Sequence, residues 1–184
     1  MASAFTHAYS VLPLAALFSA TPARGKIVAG LIAVSILPDL DVLAFLFGIP
    51  YEHPLGHRGF THSLPFAAGV GCVAVLALRN TTLPSARDRI RVFVAFALAS
   101  ASHGALDAMT DAGLGIGFLI PFSDERFFFG WRPIKTSPLD PAAFLSGRGL
   151  EILANEIVWV WIPVTFVLIV VTVSRQRRTG KEPR

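Results

Sequence analysis

A chain of 184 residues is long enough for one domain, and at 53% hydrophobic and 15% charged it carries too little charge for an ordinary soluble one. The mean hydropathy of +0.60 points to a bilayer as solvent, and the sole cysteine, Cys72, excludes an internal disulfide and a cysteine-based zinc cluster. The formal charge of +4 does not read as a nucleic-acid surface, because many of the cations fall between apolar stretches, where membrane orientation accounts for them.

Five apolar stretches reach, or nearly reach, the length needed to cross about 30 Å of hydrocarbon. The first, near 3–20, carries His7 near its start and lacks the basic flank of a secretory signal. The second, 27–47, is interrupted by Leu-Pro-Asp-Leu-Asp at 37–41, where Pro38 ends or unwinds a helix. Asp39 and Asp41 are two residues apart: on broken backbone they can bridge or chelate a metal, and at a helix end they can simply face water. The third stretch, 63–79, is entered through His-Arg-Gly-Phe-Thr-His at 57–62. Gly59 suits a loop leading into a helix. The neutral imidazoles of His57 and His62 suit zinc, manganese or iron, and the forked donors of Arg58 suit an anionic oxygen.

The fourth stretch, 91–109, ends in His103-x-x-x-Asp107, an i,i+4 pair on one helix face. Both side chains can reach one metal, Asp107 can orient His103, or the two can form a buried pair that joins helices. The segment 110–154, rich in Pro, Gly and Phe, is expected as an outer loop lying on the headgroups through Phe127, Phe128, Phe129 and Trp131. The fifth stretch, 155–174, opens with Glu156, with Glu151 just ahead of it, and a basic tail follows at 175–184. The expected fold is all-α: one integral-membrane domain over 1–184, a polytopic bundle of about five transmembrane helices with a long outer loop before the last.

Orientation follows from the cations. With the N-terminus outside, the inner segments hold Arg24 and Lys26, then Arg79, Arg87, Arg89 and Arg91, then Arg175, Arg177, Arg178, Lys181 and Arg184. That is eleven of the sixteen Lys and Arg, which places the C-terminus in the cytoplasm. In that topology every helix brings a candidate ligand to the outer face: His7, Asp39 with Asp41, His57 with His62, His103 with Asp107, and Glu156.

Leu-Pro-Asp-Leu-Asp at 37–41, Gly-His-Arg-Gly-Phe-Thr-His-Ser at 56–63 and Ser-His-Gly-Ala-Leu-Asp-Ala-Met-Thr-Asp at 102–111, in this order, resemble the membrane-bound metal-dependent hydrolases. That is the bacterial inner-membrane family containing the LexA-regulated YdjM-type proteins. The resemblance covers most of 1–125, including His7 and Ile-Pro-Phe-Ser at 120–123. More distantly, the pattern is similar to zinc-dependent phospholipase C, which implies phosphoester hydrolysis, although this chain has far fewer histidines.

The function expected from residues and resemblance together is a membrane-embedded, metal-dependent hydrolase of the inner membrane. Its divalent metal would be zinc, or else manganese or iron. The expected ligands are Asp39, Asp41, His57, His62, His103 and Asp107, with His7 and Glu156 added. Asp41, as a spare carboxylate, would take a proton from water and Arg58 would stabilise the anionic transition state. Membrane lipids are the expected partners, and a lipid ester or phosphoester the expected substrate, from the depth of the site alone. The alternative is a non-enzymatic metal-binding membrane protein or an ion transporter. Transporter sites usually lie near the midplane within paired repeats, and no repeat is visible here.

Overall fold

The computed structural model of the chain describes residues 1–21, 23–79, 85–145 and 147–179. The final residues of the basic tail, including Lys181 and Arg184, lie outside them. The protein is an all-helical membrane bundle. Among the described residues, three helical stretches are long and apolar enough to cross a membrane: Arg24–Phe47, Ala86–Ala108 and Gly147–Arg177.

The difference from the five spans expected has local causes. The first apolar stretch is not one helix but two, α1 (Ala4–Ser10) and α2 (Leu12–Ala16), separated at Val11. Pro13 has no N–H to continue the ladder of α1, so the chain starts a new helix with proline in its first turn. After α3 (Arg24–Ile36), Pro38 has the same effect at 37–41, and the backbone tightens into a 3-10 helix over Leu37–Phe47. Gly48, in the left-handed conformation at φ 71°, closes it. Helix α4 (Leu64–Leu78) is capped by the Ser63 hydroxyl and is 15 residues long, about 22 Å, which is less than the hydrocarbon thickness. Helix α5 (Ala86–Ala108), capped by Ser85, runs 23 residues.

The segment after α5 is shorter than the sequence predicts. A single turn of helix, α6 (Pro141–Phe144), precedes α7 (Gly147–Glu156), which continues through a π-helical turn (Ile157–Trp161) into α8 (Ile162–Thr179). The last long apolar helical stretch therefore begins at Gly147 rather than near 155. Its earlier start is amphipathic: Ile152 and Glu156, four apart, are buried, while Leu150 and Glu151 are exposed.

The core joins α2, α3, α4 and α5 through Ala15, Ile27, Leu31, Ala74, Val92, Phe96 and Ala99. Lipid gives no hydrophobic drive for helices to associate, so close packing of small residues must supply it. A Cβ placed on Gly71 of α4 would lie 2.8 Å from the Phe93 carbonyl oxygen of α5, and one on Gly30 of α3 would lie 2.9 Å from the Phe96 ring. Large apolar residues such as Leu76, Ile90, Leu98 and Phe166 are left on the outside.

Gly71→Val should therefore destabilise the bundle by about 1–3 kcal/mol, the usual cost of overpacking. Gly69→Val, on the same helix with nothing within 4 Å of its Cβ position, should be close to neutral. Unfolding of both variants in detergent measures the difference.

Candidate metal centre

The break at Pro38 turns Asp39 and Asp41 inward, where both are buried. The loop 56–62 brings His57, Arg58 and His62 against them, and α5 adds His103 and Asp107, all at most 2% exposed. Two convergent groups result. Asp39, His62, His103 and Asp107 could hold a metal ion, as could Asp41, His57 and His62, by the proximity of their ligand atoms.

The hydrogen bonds separate the two groups. His103 Nδ1 lies 2.7 Å from the Ser35 carbonyl oxygen. A carbonyl only accepts, so Nδ1 carries the hydrogen and Nε2 of the neutral ring is a lone pair. His62 Nδ1 lies 3.1 Å from Asp41 Oδ2, and the same reasoning leaves its Nε2 as a lone pair. These two Nε2 atoms face each other at 3.1 Å. Burial pushes the His62 imidazole down to about 4, against the pull of Asp41, so at neutral pH it is uncharged and able to ligate. Asp39 Oδ1 is 3.2 Å from His103 Nε2 and 3.9 Å from His62 Nε2, and Asp107 Oδ2 is 3.8 Å from His62 Nε2. Two ligands of a tetrahedral zinc, each at 2.0–2.1 Å, are about 3.3 Å apart. Both Asp39 oxygens and Asp107 Oδ2 are buried without a hydrogen-bond partner. The donor set, its spacing and its orphaned oxygens fit a divalent cation.

The second group is built differently. Asp41 Oδ1 accepts from His57 Nδ1 at 2.6 Å, a hydrogen-bond length and shorter than two ligands of one ion adopt. Asp41 Oδ2 accepts from Arg58 N at 3.0 Å and Thr61 Oγ1 at 2.8 Å as well as facing His62. Asp41 thus orients both imidazoles, and no oxygen is left spare to take a proton from water, the part expected of it. His57 stands behind Asp41 and stacks on Tyr51 at 5.2 Å.

Arg58 is placed differently from its expected role too. It adopts a left-handed backbone conformation at φ 64°, which costs a non-glycine residue about 1–3 kcal/mol. Its guanidinium donates to the carbonyls of Ala112 and Leu114 and to Thr110 Oγ1. Nε, the guanidinium nitrogen with no hydrogen-bond partner, lies 3.4 Å from Asp107 Oδ2. Arg58 balances Asp107 and fastens the 110–114 turn; it does not present a free fork to an anionic oxygen.

His7 stacks on His103 with centroids 3.7 Å apart, and its Nε2 is 3.4 Å from Asp107 Oδ1. It flanks the four-residue group without joining it. Glu156 is buried, but its carboxylate accepts from Ser3 N at 2.6 Å, Ser3 Oγ at 2.5 Å and Thr6 Oγ1 at 2.7 Å. That engagement holds it out of the centre. Glu151 is exposed and paired with Lys135. The supporting residues that motif reading did not single out are Ser35, Thr61 and Arg126. Thr61 stands inside the His-Arg-Gly-Phe-Thr-His motif. Ser35 contributes a main-chain carbonyl, for which no side-chain signal exists. Arg126 ties the loop by donating to the carbonyls of Tyr51, Glu52, His53 and His57.

The sequence profile of the YdjM inner membrane protein family matches residues 1–179 of the chain. Over 135 residues, 73% of this chain and 76% of the relative, it is 41% identical to Inner membrane protein YbcI of Escherichia coli (strain K12). No solved structure matches it.

Replacing Glu156 with alanine would leave the Ser3 and Thr6 donors buried without an acceptor. Stability in detergent should fall by about 1–3 kcal/mol for each group left unsatisfied. An unchanged unfolding midpoint would mean that the carboxylate does not tie α1 to the last helix.

Proposed function

The chain belongs to the YdjM inner membrane protein family, and we propose that within the inner membrane it is a metal-dependent hydrolase acting on a lipid ester or phosphoester. The observation that carries this reading is the pair of Nε2 atoms 3.1 Å apart, on rings whose Nδ1 atoms face acceptors, beside a carboxylate with no hydrogen-bond partner. Asp39, His62, His103 and Asp107 would hold the cation. Two imidazoles and two carboxylates suit zinc first, and manganese or iron next. A metal held there would supply Lewis acidity and would lower the pKa of water towards neutrality.

The protein's own groups divide the rest of the work. Asp41 fixes the His62 tautomer and, by accepting from His57 Nδ1, leaves His57 Nε2 as a proton acceptor. Arg58 Nε faces Asp107 Oδ2 at 3.4 Å and balances its charge. The rival reading is a structural metal site, and the burial of His62, His103 and Asp107 favours it: four protein ligands can close a zinc shell. Turnover decides between the two. We further propose that the C-terminus is cytoplasmic and that membrane lipids are the protein's partners.

Elemental analysis of the purified protein should find metal in the wild type, and a large loss in His62→Ala, His103→Ala and Asp39→Asn. Glu156→Ala should keep it if folded, and Asp41→Asn should bind about 10–100-fold more weakly, as when the partner of a ligating histidine is removed. Equal metal in the wild type and the His62 and His103 variants would show that a proton, not a metal, lies between the imidazoles. Metal-loaded protein should then hydrolyse phospholipids or simpler phosphoesters; full occupancy with no turnover on any of them would favour the structural site.

Reporter fusions after residue 85 and at the C-terminus should both read cytoplasmic. A periplasmic signal at residue 85 would place the metal centre on the cytoplasmic side.

A further inference from the structure

Beside the metal centre, a groove of about 670 Å³ runs along the outer surface of α5. This is within the roughly 300–1,000 Å³ of sites that take small ligands. Its floor is made of small residues one helical turn apart, Ala101, Ser102 and Ala105, and its walls include Leu64, Phe118 and Phe129. Ser102 is the one polar side chain in the lining, and its hydroxyl donates to the Ala99 carbonyl at 2.8 Å. The groove therefore offers no side-chain hydrogen-bond donor to an occupant, and a polar ligand would lose most of its own hydrogen bonds on entry.

The occupant follows from what surrounds the groove. Helix α5 crosses the membrane, and its exposed stripe Ile90, Val94 and Leu98, at four-residue spacing, leads directly into the floor. Leu64, Leu98, Leu119 and Phe129 are each more than a third exposed at the rim. The concavity is thus continuous with the protein's interface with lipid hydrocarbon. From Leu98 to Ala105 the floor is about 10 Å long and runs from within the span towards its end. Along the axis of α5 the end at Ala105 is level with His103 and Asp107, which face the other side of the helix. Gly104, next to it, is the residue over which the His62 carbonyl packs, and Leu64, two residues beyond His62, donates its N–H to Phe118 O at 2.9 Å.

We propose that this groove seats one acyl chain of a membrane phospholipid, with the ester-bearing end of the chain level with the candidate metal centre across α5. The substrate half of this inference rests on the hydrolase reading above; the acyl seat itself does not. The seat would hold the ester of a bilayer lipid, rather than a soluble ester, at the depth of the site.

The test uses full-length protein in phosphatidylethanolamine–phosphatidylglycerol nanodiscs containing a trace of phosphatidylethanolamine with a photoactivatable diazirine in one acyl chain. Adducts should concentrate on 98–105 and 118–119, about tenfold over the freely lipid-exposed Phe166 and Val170 of α8, the factor expected from burying roughly two extra methylenes. Ala105→Phe, or Ser102→Phe if the first does not fold, should remove the excess while leaving α8 labelling and metal content at wild-type levels. Equal labelling of groove and α8, or an excess that survives in a folded filled variant, would overturn the seat. So would recovery of a crosslinked dimer in place of a lipid adduct. If the excess is present and no substrate is hydrolysed, the seat stands and the hydrolase reading falls. If the filled variant still cleaves a short-chain soluble phosphoester but loses the long-chain phospholipid, both stand together.

Discussion

Two imidazole nitrogens held 3.1 Å apart, each on a ring whose other nitrogen is already a donor, form the constraint around which this bundle is organised. Neutral histidines arranged so would turn lone pair on lone pair in a buried site, where water cannot screen them. A positive charge between them removes the conflict. It also explains why Asp39 can be buried with neither oxygen hydrogen-bonded, an arrangement that costs several kcal/mol for an uncompensated carboxylate. The breaks in the helices serve the same end. Had the 27–47 stretch stayed α-helical through Pro38, there would be no 3-10 segment to present Asp39 and Asp41 to His62.

Arg58 shows how closely the surrounding chain is built around these buried carboxylates. A buried guanidinium needs an acceptor for nearly every N–H, and three come from the 110–114 turn. The turn can approach because Gly113, at φ 90°, has no Cβ; one placed there would lie 2.8 Å from Arg58 NH1. The Arg58 carbonyl accepts from Gly117 N and its amide donates to Asp41. With both backbone groups and most of the side chain fixed, the left-handed conformation of Arg58 is over-determined by its neighbours, as a strained residue must be to persist. A membrane-end site could not be closed by a loose loop, since a buried cation with free donors would draw in water.

How much of this was legible in the sequence follows from which interactions have a one-residue signature. Acids and histidines inside apolar stretches are conspicuous because they are costly there, so Asp39, His62, His103 and Asp107 stood out, and their convergence followed from helices that cross in opposite directions. Their division of labour did not. Whether Asp41 ligates or orients depends on a 2.6 Å contact to His57 that spacing does not encode. Arg58 looked like a free fork because its acceptors, two main-chain carbonyls and the Thr110 hydroxyl, lie some fifty residues away. The helix count suffered for a related reason. A window of hydropathy over 3–20 or 63–79 measures apolarity, whereas Pro13 and the 15-residue length of α4 decide whether the helix reaches across.

Glu156 completes the argument by contrast. By composition it belongs with the ligands: an acid near the end of a spanning helix, buried, on the side where the others meet. Its carboxylate instead grips Ser3 and Thr6. The π-helical turn that follows widens the helix where Trp161 donates to Thr6 Oγ1 at 2.8 Å and stacks on Tyr9 at 4.6 Å, while Tyr9 OH meets Thr165 Oγ1 at 2.7 Å. Apolar contact alone would hold α1 weakly against a helix that lipid solvates equally well, so polar contacts provide the attachment. The attachment reaches the centre, because the segment it fixes lays His7 on His103 and points Ala2 N at Asp107 Oδ1. With Oδ1 so engaged, Asp107 turns Oδ2 towards His62 and Arg58. The last helix thus governs the geometry of the candidate metal centre without contributing an atom to it.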